Sequence, residues 1–308
     1  MRFGIQPLQF IDVMNLIAGR RSVDLSKFNF PQIREVAMKL FDYPQLCKSV
    51  IKGGFRVIEL TLDIDYILPG YLDEKRIKRF VEIKKEEEIA YTVHLPLWSI
   101  ELASPNEYIR RASVESLVHS IEVAKVLEPE CYVLHSTGAL AAEFTQLNLP
   151  ENYKELVNRY MLSYSAKSIE EILSKIDIPP RKLALENVGF PFRLTRETVD
   201  QFDLSICFDT GHLLAGYCGE YSVMEFLNEH WDRIVEIHLH DGFHRKKNGM
   251  VVRRDHLPLG SGDLPVSEFM ERLDKGGFKG PIVFELPFNE AKRSLKTIRK
   301  KYPRVVIE

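Results

Sequence analysis

The chain lacks the paired cysteines of a disulfide framework or a zinc ribbon. Cys47, Cys131, Cys207 and Cys218 show no CxxC spacing, and two of them stand in strand-like runs, where cysteine acts as a small hydrophobe. There is no run of 18 apolar residues, and the start, MRFGIQPLQF, has neither a long apolar core nor a cleavage-site pattern. Membrane insertion and secretion are therefore not expected, and a reducing, cytoplasmic location is. The net charge is only -2, so no global basic field draws the chain onto nucleic acid. No GxGxxG follows the first strand-like run, which removes the usual mark of a dinucleotide fold. No low-complexity stretch or Pro/Gly/Ser linker divides the 308 residues, and 45% apolar content is ample for one large core. A single domain over 1–308 is expected.

What is present is a regular alternation. Short β-branched runs at 2–8, 56–62, 90–97, 131–137, 182–188, 205–212, 234–242 and 281–288 are separated by amphipathic helical patterns. The clearest helix spans 106–127, where Val114, Leu117, Val118, Ile121, Ala124 and Leu127 make one stripe. Ser104 is its expected cap, with Pro105 in the first turn and Glu107 completing a capping box. Strands apolar on both faces and separated by helices predict a parallel sheet, and eight is the number that closes it into a (β/α)8 barrel. An open doubly wound sheet is the alternative. The segments IKGGFRVIELTL and DKGGFKGPIVFEL echo each other, each with Gly ending a helix before a strand that carries Glu. The long segments 9–42, 138–150 and 243–265 read as loops or lids, the first partly covering the barrel mouth.

In such a barrel, catalytic groups project from the C-terminal strand ends. Those ends carry His94, His135, Glu186, then Asp209 with His212, then His238, His240 and Asp241, and finally Glu285. His256 follows on the next loop. The stretch SICFDTGH is the sharpest case, because a carboxylate ending a core strand costs several kcal/mol unless a partner or a metal satisfies it. One buried histidine is ordinarily a satisfied core residue, but six successive strand ends with ligand-type side chains point to a divalent cation. His240 alternates with His238 along one strand, so one of them faces the interior and the other supports it. His119, His230 and His244 read as ordinary helix or surface residues. Trp98 is either a stacking platform for substrate or packing.

With these motifs in order, VHLPL, VLHSTG, ALENVG, CFDTGH, EIHLHDG, DHLPLGSGD and VFELP, the chain resembles the xylose isomerase-like TIM barrels, or AP endonuclease family 2, over nearly its whole length. That superfamily holds sugar isomerases and epimerases and the endonuclease IV type abasic-site nucleases. The resemblance implies a central metal site of Glu186, Asp209, His238 and Glu285. In the nuclease pattern Glu186 also bridges to a metal held by His94 and His135, while His212 and His256 help hold a third. This chain has Arg254 where that pattern has an aspartate, with Asp255 displaced by one, which implies at most two metals. Arg254 is then free to grip a substrate anion. The ketose epimerases carry a substrate-contacting glutamate where this chain has Phe192.

The leading expectation is a metal-dependent isomerase or epimerase acting on a sugar, sugar phosphate or polyol. Glu186 and Glu285 would be its acid and base, His212 a hydroxyl contact, and His94, Arg254 and Trp98 substrate-binding residues. Zinc or manganese is the expected cofactor, with magnesium or cobalt as substitutes. The runner-up is a phosphoester hydrolase, supported by the extra histidines and by the basic run of Arg245, Lys246, Lys247, Arg253 and Arg254. A metal-stabilised binding module is third. A small polyhydroxylated or phosphorylated molecule is the expected partner rather than duplex DNA. Replacing Glu186 or Asp209 is expected to remove metal and leave the fold intact.

Overall fold

The β-branched runs pair edge to edge until the last meets the first. The computed structural model describes residues 1–8, 35, 38, 41–219, 221–247 and 250–307. Its strands are β1 (Arg2–Ile5), β2 (Val57–Thr61), β3 (Ala90–His94), β4 (Tyr132–Leu134), β5 (Leu183–Glu186), β6 (Ser205–Asp209), β7 (Ile234–His238), β8 (Asp241–Lys247), β9 (Met250–Leu257) and β10 (Pro281–Phe284). Eight of them close into a parallel barrel in the order β1-β10-β7-β6-β5-β4-β3-β2. This is the (β/α)8 barrel that the alternation predicts, with helices packed outside. Every residue of β2 and β6 is buried, as it must be when one face meets the barrel interior and the other meets helices.

The helix Glu107–Lys125 buries Val114, Leu117, Ile121 and Ala124, the stripe expected of it. Burial of Val114, Leu117 and Ile121 contributes roughly 1.5–3 kcal/mol each, and the methyl of Ala124 less. Its cap differs from the expectation. Asn106 caps the helix by accepting from the Tyr108 N–H, and Ser104 instead accepts from the Asn106 N–H. Glu107 reaches forward to Arg110, so no capping box forms.

The echoed glycine pairs behave alike. Gly54 and Gly277 take positive φ, 102° and 65°, as the chain leaves a helix for β2 or β10. These two strands flank β1, with Gly4 in register with both Val57 and Val283.

Two segments read as loops hold regular structure. Residues 138–150 contain the helix Ala139–Gln146, and 243–265 contains most of the antiparallel hairpin β8–β9. The hairpin is exposed on both faces of β9, so it has no apolar alternation to betray it. Apart from residues 35, 38, 41 and 42, the segment 9–42 lies outside the described residues. No helix among the described residues is long and apolar enough to cross a membrane.

Candidate metal centre

The short helix Thr210–Leu214 begins where β6 ends, and Asp209 is its N-cap. Asp209 Oδ1 accepts from the His212 N–H at 2.6 Å, and Oδ2 accepts from His240 Nε2 at 2.8 Å. Asn187 clamps the same backbone, accepting from the Asp209 N–H at 2.7 Å and donating to its carbonyl at 2.8 Å. The carboxylate at the end of SICFD is thus satisfied by local donors. The tight turn it caps brings His212 Nδ1 to 2.9 Å from Glu186 Oε1 on the neighbouring strand.

At the centre, His238 Nδ1 stands 3.5 Å from Glu285, 3.6 Å from Glu186 and 3.8 Å from Asp209. These are too long for hydrogen bonds and suited to atoms that surround a common cation. His238 Nδ1 is buried with no hydrogen-bond partner, and Glu186 Oε1 and His212 Nδ1, also buried, make no well-aligned hydrogen bond although they lie 2.9 Å apart. Buried lone-pair atoms that converge without hydrogen bonds are the kind of donor set that suits a cation. Beside this set, His94 and His135 place Nε2 at 3.3 and 3.1 Å from Glu186 Oε2. His94 Nδ1 must donate to the Leu95 carbonyl at 2.8 Å, so in the neutral ring Nε2 is a bare lone pair aimed at a carboxylate. A proton or a metal between them removes that repulsion.

The electrostatics agree. Burial opposes charge on His94, but Glu186, Glu59 and Glu285 raise it to about 10. Burial likewise opposes charge on His212, and Asp209 and Glu186 raise it to about 9. Against its own burial, Glu186 is held well below the usual carboxylate range by His135, His238 and His212. Both imidazoles thus titrate above the ~6.5 of an unfolded histidine. Their stabilisation is full below about pH 6.5 and is lost as pH rises through about 9 and 10. Metal-free protein is therefore expected to lose melting temperature across that window, while metal-loaded protein holds it, because a cation replaces the protons. Thermal scans with and without chelator read this, and parallel decline in both forms would exclude the exchange.

The third edge of the site depends on a bulge. Asp241 pairs with Leu257 but Phe243 pairs with Arg254, so β9 carries one extra residue. His256 takes φ +48° there, and its N–H donates to His240 Nδ1 at 2.9 Å. The bulge turns Asp255 inward, 3.7 Å from His212 Nε2 and 3.4 Å from His256 Nδ1. Arg254 is exposed and does not line the cavity, so the structure does not bring it to the site as a substrate clamp. The carboxylate expected to be displaced is instead restored one residue later, which also undercuts the limit of two metals. His240 spends both ring nitrogens on Asp209 and His256, and therefore supports the site rather than offering a free ligand atom. Gly211 makes room for it, since a Cβ there would lie 2.0 Å from His240 Nδ1.

A cavity of about 230 Å³ opens above these groups. His94, His135, Glu186, His212, His256 and Glu285 form its polar side, and Leu8, Ile64, Ile67, Leu97, Trp98 and Val188 its apolar side. Asp63 holds the Trp98 wall by accepting from the Leu97 and Trp98 N–H groups at 3.1 and 3.0 Å. Among the described residues, no lysine or arginine lines this space.

Other expected residues fall elsewhere. Asp241 organises a loop, accepting from the N–H groups of Gly242, Gly260, Gly262 and Leu264. His119 and His244 are exposed, and His230 packs between Phe192 and Phe226. Phe192 is in the core and contacts no substrate space. Asp63, Gln6 and Glu59 were missed from sequence, and Asp255 was noted only as displaced from the expected position. For Glu59 a signal existed, since the echoed segments place it where the other repeat has Glu285.

A family model described as xylose isomerase-like TIM barrel matches residues 47–301. An uncharacterized protein of Methanocaldococcus jannaschii is 30% identical over 251 residues, 77% of this chain and 78% of that one. A probable endonuclease 4 of Carboxydothermus hydrogenoformans is 26% identical over 249 residues, 74% of this chain and 81% of that one. Among solved structures, a D-tagatose 3-epimerase-like protein superposes with a TM-score of 0.60 at 23% identity, covering 98% of this chain and 97% of that one.

Proposed function

The chain belongs to the xylose isomerase-like TIM barrel family, and we propose that, as one domain over 1–308, it is a metal-dependent isomerase or epimerase of a sugar or related polyol. The observation that carries this reading is the pairing of Glu186 and Glu285, both lining the cavity, about His238 Nδ1 at 3.6 and 3.5 Å. Glu186, Asp209, His238 and Glu285 would hold the cation, and mixed imidazole and carboxylate donors suit zinc or manganese. When bound, the cation polarises a carbonyl and hydroxyl pair of the substrate.

The remaining chemistry belongs to the side chains. β7 and β6 separate β10 from β5, so Glu285 and Glu186 reach the site from different sides. One carboxylate takes a proton from carbon and the other returns it, which inverts or relocates the stereocentre. His212 contacts a substrate hydroxyl, and Trp98 packs on the C–H face of the sugar.

The second reading, metal-dependent phosphoester hydrolysis, rests on His94 and His135 beside Glu186, and on Asp255 beside His212 and His256. These offer donors for further cations beyond what an isomerase uses. A panel of sugars, sugar phosphates and phosphodiesters, abasic DNA included, separates the two when run in heavy water with zinc- or manganese-loaded protein. Deuterium entering one sugar carbon supports the isomerase. Phosphodiester cleavage without exchange in any sugar overturns it in favour of the hydrolase.

A further inference from the structure

Glu59, on β2, is wholly buried and does not line the cavity, yet its carboxylate is tied to the candidate metal centre at two points. Its Oε2 lies 3.2 Å from Nε2 of His238. Its Oε1 accepts from Gln6 Nε2 at 3.0 Å, and the second hydrogen of the same amide goes to Glu285 Oε1 at 2.9 Å. Gln6 follows β1, which lies between the two strands of the echoed segments, so Glu59 and Glu285 meet one amide from opposite sides.

The chemistry of the imidazole follows from this contact. A carboxylate oxygen only accepts, so Nε2 of His238 must carry hydrogen. In the metal-binding form the other nitrogen, Nδ1, is then the lone pair. It is the buried, unpartnered atom that faces Glu186, Asp209 and Glu285. A histidine held from behind by a carboxylate is both oriented and made a stronger donor.

We propose that Glu59 is a positioning residue, which holds His238 with hydrogen on Nε2 and Nδ1 aimed at the cation, and which through Gln6 also orients Glu285. This rests on the metal-centre reading of the site. It assigns Glu59 no contact with substrate.

Metal affinity tests it apart from any turnover. Competition between the protein and a chromophoric chelator for zinc or manganese should show Glu59→Leu binding roughly ten- to hundredfold more weakly than wild type. Glu59→Asp, which keeps the carboxylate, should recover part of that loss. Ser205→Ala serves as the control, because the buried Ser205 hydroxyl on β6 donates to the Arg181 carbonyl at 2.7 Å, a contact that involves neither Glu59 nor His238. Its affinity should stay within about twofold of wild type, since no ligand-orienting contact is removed. In zinc-loaded wild type, the imidazole nitrogen resonances of His238 should report metal on Nδ1 and hydrogen on Nε2.

A merely structural Glu59 would lower the melting temperature of Glu59→Leu and leave affinity unchanged, and that result overturns the assignment. Hydrogen on Nδ1 of zinc-loaded His238 overturns it without any variant, should Glu59→Leu fail to fold. Wild type that binds no divalent cation would instead sink the metal centre itself.

Discussion

Glu186→Ala is expected to lower turnover on the order of 10³-fold or more, because it removes both a proton-transfer group and a metal ligand. Glu186 is the residue shared by two donor groups, the one with His94 and His135 and the one with Asp209, His238 and Glu285. Its loss should therefore reduce metal stoichiometry at both. The backbone of β5 does not depend on this side chain, so the circular dichroism spectrum should be retained. The gain in melting stability on adding cation, about 2.7 kcal/mol at a hundredfold excess over Kd, should largely vanish. Elemental analysis and thermal scans read these outcomes, and unchanged stoichiometry would defeat the assignment of the centre.

Asp209→Asn is expected to do more damage than its small chemical change suggests. Oδ1 of Asp209 accepts from the His212 N–H and Oδ2 accepts from His240 Nε2. His240 cannot switch its hydrogen to the other nitrogen, because Nδ1 already accepts from the His256 N–H. Both Asp209 oxygens must thus be acceptors, and an asparagine would set its NH2 against a buried donor. A loss of about 1–3 kcal/mol is expected in the metal-free protein, on top of the lost metal affinity. Sequence alone put Asp209 and Glu186 in one class, as tips whose removal spares the fold. The structure separates them, because only Asp209 is also a helix cap and the anchor of His240. Equal chelated-state stability of Asp209→Asn and wild type would show that the cap and the His240 contact carry no weight.

The barrel and the candidate ligand positions at its strand ends were legible because both are local patterns. A β-branched run of strand length with a ligand-type residue at its end needs no partner to be recognised, and eight of them in alternation leave few architectures open. Glu186, Asp209, His238 and Glu285 each stand at such an end, so period and position put them among the candidates, and the resemblance to the xylose isomerase-like barrels marked these four as the central set. Helix ends were less legible, since Ser104 and Asn106 are both competent caps and only the path of the chain chose Asn106.

What tertiary structure decided is which residues meet across the barrel. Glu59 and His238 are 179 residues apart and touch only because the sheet closes. A single strand carries no record of that contact, whose partner is set by the stagger of eight strands together. Asp255 rather than Arg254 faces His212 because β9 carries one extra residue, and such a bulge turns every later side chain to the other face. The sequence by itself determined the eight strands and the chemistry at their ends. Closure and register, which arise from long-range pairing and not from local pattern, decided how those ends are oriented, supported and walled by Trp98.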